Sequence, residues 1–305
     1  MTARLHRSVA AINTIILGKE VQIKLGVTAL LARGHLLIED LPGVGKTTLS
    51  HAIAHALGLE FNRVQFTSDL LPSDILGATI YEKEREQFRF HPGPIFSQVI
   101  LADEINRANP KTQSALLEAM EEYQVSIEGT SHPLPQPFFV IATQNPSEQI
   151  GTYALPESQL DRFLMVISLG YPSAAAERDL LLGNDRREML AALKPELSGE
   201  DLLQLQREVR AVKVTSALID YVMTIVTFTR QSGLYRSGLS PRAALSILNA
   251  ARAWALLEQR EYVRPDDVQA ILPAVAGHRL RRLSRYEGEE SGGSVITPLL
   301  ELAIP

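Results

Sequence analysis

Glu39-Asp40-Leu41-Pro42-Gly43-Val44-Gly45-Lys46-Thr47-Thr48 stands between an apolar run, Leu36-Leu37-Ile38, and an amphipathic run over residues 49–57. That order reads as strand, glycine-containing loop and helix, the setting a phosphate-binding loop needs. Gly43 and Gly45 allow the backbone to turn its N–H groups onto one concave face, where the following helix N-terminus adds partial positive charge. Lys46 can reach β- and γ-phosphates, and the Thr47 hydroxyl can ligate Mg²⁺. Pro42, Gly43, Val44, Gly45, Lys46, Thr47 and Thr48 are therefore the candidate nucleotide-binding set. The strict pattern has Gly where this chain has Asp40. Asp tolerates unusual backbone angles better than most residues, so the loop is still expected to form. A strand-to-helix turn with no ligand is the alternative, and the intact Gly-Lys-Thr weighs against it.

The 305 residues favour about two domains. With 45% hydrophobic and 21% charged residues, the chain has an ordinary globular composition. Cysteine is absent, which excludes a disulfide framework and a cysteine metal site. The first residues lead into an amphipathic helix rather than a signal peptide's apolar core. No stretch approaches the roughly 18 uninterrupted apolar residues of a membrane span, so a cytoplasmic protein is expected. A net charge of −5 argues against nucleic acid as the main partner, because phosphate backbones need a basic footprint.

Working outward, residues 5–17 read as a helix with Val9, Ile12 and Ile16 on one face, and 21–31 as a second. A strand is expected at 61–66. Over 69–94, Ile75, Ala78, Ile80, Phe88 and Phe90 suggest short strands around the charged tip 82–86. The apolar run 98–102 reads as a strand buried on both faces of a parallel sheet, and Asp103 and Glu104 stand at its C-terminal end, where ligands bind in open α/β sheets. Asn109-Pro110 opens a helix, and 124–137 reads as a hairpin. Residues 138–143 form another buried strand, ending in Gln144-Asn145-Pro146, and a last strand is expected over 163–169. After Ser173 strand signals stop. Helical periods run over 177–182, 200–212, 216–230, 241–258 and 265–280, with Pro241 and Pro265 suited to first-turn positions. Residues 287–294, polar and Gly-rich, are expected to be a mobile linker.

Nucleotide hydrolysis needs phosphate donors, Mg²⁺, a group that activates water, and positive charge for the transition state. Asp103 can hold Mg²⁺, through water, and Glu104 is the candidate base. Both could instead cap the next turn, a reading the upstream loop disfavours. Asn145, at the end of a neighbouring strand, can hydrogen-bond a γ-phosphate or the attacking water; a turn role is the alternative. Arg162 and Arg242 are candidate phosphate contacts, although an isolated arginine is more often a surface residue.

Taken together, these segments resemble the MoxR-type AAA+ ATPases over nearly the whole chain. The 39–47 stretch resembles that family's Walker A, whose members tolerate a non-Gly residue at Asp40. His91-Pro92-Gly93-Pro94-Ile95-Phe96 is similar to the segment before Walker B, and 102–108 to Walker B and its continuation. Ala142-Thr143-Gln144-Asn145-Pro146 resembles sensor 1, 155–163 the segment with the arginine finger, and Ser240-Pro241-Arg242-Ala243 sensor 2. The resemblance implies an α/β fold: a five-stranded parallel-sheet core over 1–172 and an all-α lid over 173–305. It also implies a helix-2 insertion at about 69–91 and a hairpin before sensor 1 at about 123–137. Ile16 and Gly18 would lie against adenine, with ordinary helix-end packing as the alternative. Arg162 would act on a neighbour's nucleotide, implying a homo-oligomeric ring, usually a hexamer. Arg242 would touch the γ-phosphate in cis. Arg107 belongs to a family motif, either as a second interfacial arginine or in a polar network under Asn145.

The function implied is an ATP-hydrolysing, chaperone-like ATPase that remodels or matures partner complexes, often with a partner bearing a von Willebrand factor A domain. The alternatives are a nucleic-acid motor of the related helicase clade and a nucleotide-dependent recruitment switch.

Overall fold

In the computed structural model, which describes residues 1–146, 151–183, 185–283 and 295–304, the helices α1 (Thr2–Ile15) and α2 (Glu20–Leu31) lead into β1 (Leu36–Glu39). Leu36, Leu37 and Ile38 are all buried. Because side chains alternate along a strand, Leu36 and Ile38 join one hydrophobic cluster and Leu37 another on the opposite face. The loop that follows delivers the chain to α3 (Lys46–Ala56) and then β2 (Phe61–Gln65). A short helix, α4 (Pro72–Leu76), precedes an antiparallel hairpin, β3 (Gly77–Glu82) and β4 (Gln87–Pro92). The hairpin was legible in the sequence and the short helix was not.

The strand β5 (Val99–Asp103) is buried throughout, as a strand covered on both faces should be. After it come α5 (Pro110–Glu122), the hairpin β6 (Gln124–Ile127) and β7 (Thr130–Pro133), and then β8 (Phe139–Gln144). Glu128 and Gly129 both take positive φ at the hairpin tip, as a two-residue turn of this hand requires. The two hairpins meet where the Phe90 and His132 rings stack with centroids 4.1 Å apart. A single turn, α6 (Glu157–Leu160), precedes β9 (Met165–Ile167). This last strand is shorter than the 163–169 expected, because Phe163 still closes the helical turn onto the Leu160 carbonyl, and the N–H groups of Leu169 and Gly170 bond a side chain instead of a ladder.

The main sheet has the order β2-β5-β8-β1-β9, and every pairing is parallel. Its register aligns Leu36 with Ile141 and with Met165, and Gln65 with Asp103. All the strands therefore end on one edge, where Glu39, Asp103 and Gln144 stand, and begin on the other, where His35 and Leu164 stand.

Beyond β9 the described chain is helical: α7 (Ala174–Leu182), α8 (Arg186–Ala192), α9 (Gly199–Ala211), α10 (Ser216–Gln231), α11 (Pro241–Leu257), α12 (Pro265–Ala276) and α13 (Thr297–Leu300). Helix α8 escapes sequence reading because seven residues, with Leu190 alone buried, show no period. Ser198, Thr215 and Ser240 each accept a backbone N–H at a helix start, a cap worth about 1 kcal/mol. Helices α8 to α13 share one continuous apolar cluster with α1, α2, α3 and one face of the sheet, while α5 covers the other face. The linker expected at 287–294 lies outside the described residues.

Candidate functional site

Gly43 and Gly45 take φ of 83° and 96°. A Cβ at either position would meet nothing within 4 Å, so the left-handed backbone, not crowding, demands glycine there. Gly45 is the N-cap of α3, so the unpaired N–H groups of the first helical turn adjoin the loop. Pro42 and Gly43 are exposed, Val44 packs against the larger cluster, and Lys46, Thr47 and Thr48 are half-buried. Lys46 Nζ donates to the carbonyls of Asp40 at 2.5 Å and Leu41 at 3.2 Å. Burial lowers its pKa, and the nearby charges of Asp40, Asp103 and Glu104 only partly restore it.

Asp40 does something other than what the backbone argument supposed. It is not among the residues with positive φ, so tolerance of unusual angles is not why it stands there. Its Oδ1 accepts the Leu41 N–H at 2.8 Å, and its Oδ2 accepts from Ser168 Oγ at 3.0 Å and from the Leu169 and Gly170 N–H groups at 2.6 Å each. Burial pushes its pKa up, but these hydrogen bonds, led by Gly170, hold the carboxyl below its ordinary range. Asp40 thus ties the start of the loop to the end of β9. The turn at Ile16 and Gly18 lies beside α7: Ile16 packs against the larger cluster, and a Cβ on Gly18 would meet Ala176 Cβ at 3.4 Å.

Asp103 and Glu104 stand at the same edge. Thr47 Oγ1 lies 3.5 Å from Asp103 Oδ2. Arg63 donates to that oxygen from Nε at 3.0 Å and Nη2 at 2.7 Å. Thr143 Oγ1 donates to Asp103 Oδ1 at 2.6 Å and accepts the Glu104 N–H at 2.9 Å. Glu104 has a φ of 57°, uncommon for a non-glycine residue, and the Thr143 bond helps to hold it so. Its Oε2 accepts from Gln65 Nε2 at 2.9 Å and Arg107 Nη1 at 3.0 Å, which gives Arg107 a partner neither sequence alternative named. Asn145 is buried at the end of β8, its carbonyl 3.5 Å from Asn106 Nδ2.

Arg63 and Gln65 were missed. The available signal was their i, i+2 spacing on β2, which puts both side chains on one face next to the strand ending in Asp103.

The remaining arginines are elsewhere. Arg162 Nε pairs with Glu121 Oε2 at 3.1 Å, and Arg242 Nη1 with Glu121 Oε1 at 2.9 Å. They line a cavity of about 250 Å³ with Gly34, His35 and Arg279, at the edge where the strands begin. The four residues of β1, at about 3.3 Å each, put roughly 13 Å of strand between that edge and the loop. In this structure Arg242 does not make the cis contact expected of it: α11 starts beside Arg162, not beside Lys46. Glu121 gave no sequence signal, being one of several acidic residues on α5. In the wall of the cavity His35 is buried. Its Nδ1 accepts the Val140 N–H and its Nε2–H donates to the Met120 carbonyl, both at 3.0 Å. Burial pushes its pKa down to about 4, against a smaller upward effect of that carbonyl.

Residues 35–165 match the family model described as "ATPase family associated with various cellular activities (AAA)", and 227–299 match the AAA lid domain. The chain is 45% identical to the uncharacterized protein YeaC of Bacillus subtilis (strain 168) over 99% of its own length and 95% of the relative's. It is 45% identical to the chaperone MoxR1 of Mycobacterium tuberculosis over 90% of its length and 75% of the relative's. Among solved structures, a candidate ATPase from Cytophaga hutchinsonii superposes with a TM-score of 0.88 at 35% identity, covering 100% of this chain and 96% of that one. Among the described residues, no helix is long and apolar enough to cross a membrane.

Proposed function

The chain belongs to the MoxR-type AAA+ ATPases, and from that premise we propose that it hydrolyses ATP to remodel or mature partner protein complexes. The observation that carries this reading is that Lys46, Thr47, Asp103 and Glu104 stand at one edge of the sheet and Arg162 and Arg242 at the other. At the loop edge, backbone N–H groups and Lys46 would grip the β- and γ-phosphates, Lys46 exchanging its loop carbonyls for phosphate oxygens. Thr47 and Asp103 would hold Mg²⁺; a hydroxyl and a carboxylate oxygen are the donor types this ion prefers, alongside substrate phosphates. When bound, the ion neutralises charge that develops on the phosphate oxygens. Glu104 would orient and deprotonate the attacking water once freed from Gln65 and Arg107, and the Asn145 amide would bond the water or the γ-phosphate. The turn at Ile16 and Gly18 would flank adenine.

At that edge Arg63 and Arg107 are held by Asp103 and Glu104, so the positive group that finishes the reaction would come from elsewhere. Arg162 and Arg242 stand at the opposite edge, so an adjacent copy would supply them, in a closed ring, of hexameric size by family analogy. The adjacent-copy arrangement rests on one strand's length, which neither arginine can span within its own subunit. The chaperone name of the MoxR1 relative favours a protein complex as the thing remodelled; the family resemblance points to a von Willebrand factor A domain protein as the partner.

Glu104→Gln tests the reading. The variant should keep ATP and hold a partner complex that the wild type releases on hydrolysis. Wild-type turnover by Glu104→Gln would refute the assignment of the base. Equal retention of the complex with ATP, ADP and no nucleotide would refute the remodelling cycle.

A further inference from the structure

We infer that Arg279 is a positioning residue for Arg162, so that the lid sets where the neighbour-directed arginine stands. The inference rests on the proposed trans action of Arg162 and adds a device to it.

Arg279 ends the turn that follows α12, and its side chain is only 6% exposed. Its Nε donates to Asp161 Oδ1 at 2.6 Å. Its Nη2 donates to the carbonyls of Asp161 at 3.2 Å and Phe163 at 2.8 Å, and its Nη1 to those of Leu164, at 3.2 Å, and Val275. The acceptors at 161, 163 and 164 enclose Arg162 in sequence on both sides. A guanidinium has donors in a fixed planar fork, so these bonds set the orientation of the short segment as well as its place. Val275, inside α12, gives the same fork its anchor in the lid.

The opposite half of the arrangement is equally direct. Arg242 lies in the first turn of α11, α11 packs on α12, and both Arg162 and Arg242 end on the Glu121 carboxylate. The lid therefore carries Arg242 on its own helix and holds the Arg162 segment through Arg279. A rotation of the lid moves the two arginines together. A structural pin between lid and sheet would show the same burial, so the test must separate pinning from positioning.

Arg279→Lys retains charge and bulk but replaces the fork with a point charge that cannot reach the same set of acceptors. A catalytic group displaced by about 1 Å costs about 10²-fold in rate, and that drop in kcat is the expected effect, with ATP binding in the variant's own loop unchanged. Mixed assemblies of Arg279→Lys with Lys46→Ala should regain turnover, because intact loops then meet correctly held Arg162 from the other subunit. The control is Arg162→Ala mixed with Lys46→Ala. If the control fails to recover, trans action itself is wrong. If the control recovers and the Arg279→Lys mixture does not, or if Arg279→Lys alone keeps wild-type kcat, the positioning inference is overturned. Should circular dichroism show Arg279→Lys unfolded, Asp161→Ala, which removes one acceptor of the fork, goes through the same mixtures with the same criteria.

Discussion

The two edges of the central sheet differ in how they are built. At the edge where the strands end, the important groups come from contiguous motifs and hold one another: Asp40 binds the end of β9, and Thr143 bridges Asp103 and Glu104. At the edge where the strands begin, Glu121, Arg162, Arg242 and Arg279 come from four separate segments, and two of the arginines share a single carboxylate. The first edge carries the loop of N–H groups and carboxylates already paired with Arg63 and Arg107, and the second carries Arg162, Arg242 and Arg279 around Glu121 and Asp161. On the proposed reading, the difference teaches that one subunit would hold two half-sites separated by the length of a strand.

The sharpest way to break this comparison is Arg162→Ala. An arginine finger is worth about 10³–10⁵ in rate, roughly 4–7 kcal/mol of barrier, and ATP affinity should survive its loss. Phosphate-release and equilibrium-binding assays on the assembled variant check both, and a parallel fall in affinity would place Arg162 with its own loop. Glu104→Gln should lower turnover by about 10²–10⁴-fold, again with nucleotide retained, an effect confined to the opposite edge.

Acid distinguishes the edges by stability. Burial holds His35 at about 4 when folded, below the roughly 6.5 of an unfolded histidine. Its contribution is therefore complete above about pH 6.5 and is lost as pH falls toward 4, a change of about 3 kcal/mol. His278, pushed down to about 3 by burial and by Arg279, adds loss in the same direction. Denaturant midpoints measured between pH 7.5 and 4.5 should fall accordingly, and His35→Gln should flatten the slope. The smallest effect expected is at Asp40→Ala, which strips an acceptor from the Leu169 and Gly170 N–H groups. It should destabilise by about 1–3 kcal/mol and weaken ATP binding without altering the Arg162 dependence, as thermal melts with and without nucleotide would register.

The loop edge was legible because its chemistry is local. Gly43, Gly45 and Lys46 act through a run of consecutive residues, and Asp103 and Glu104 follow an apolar run whose burial could be read directly. The strands followed from the same apolar runs, and their assembly into a five-stranded parallel sheet from the family resemblance. Asp40 was placed correctly in the loop and explained wrongly, because its partners lie about 130 residues away, at Ser168, Leu169 and Gly170. The second edge was legible only through family resemblance. Neither period nor spacing brings Arg279 to Asp161 or Glu121 to Arg242, since tertiary packing of the lid does so. The resemblance put Arg242 in cis, whereas here it stands beside Arg162 on Glu121, because the course of the lid over the sheet is not written in the motif that carries the arginine.

The most direct measurement is a structure of the assembled protein with a non-hydrolysable ATP analogue and Mg²⁺, read for the partner of the Arg162 guanidinium. The account predicts that at loaded interfaces Arg162 leaves Glu121 and lies within hydrogen-bond distance of the γ-phosphate held by the adjacent subunit's Gly43–Thr47 loop. Arg162 still on Glu121 at every loaded interface, or reaching the nucleotide of its own subunit, would contradict it.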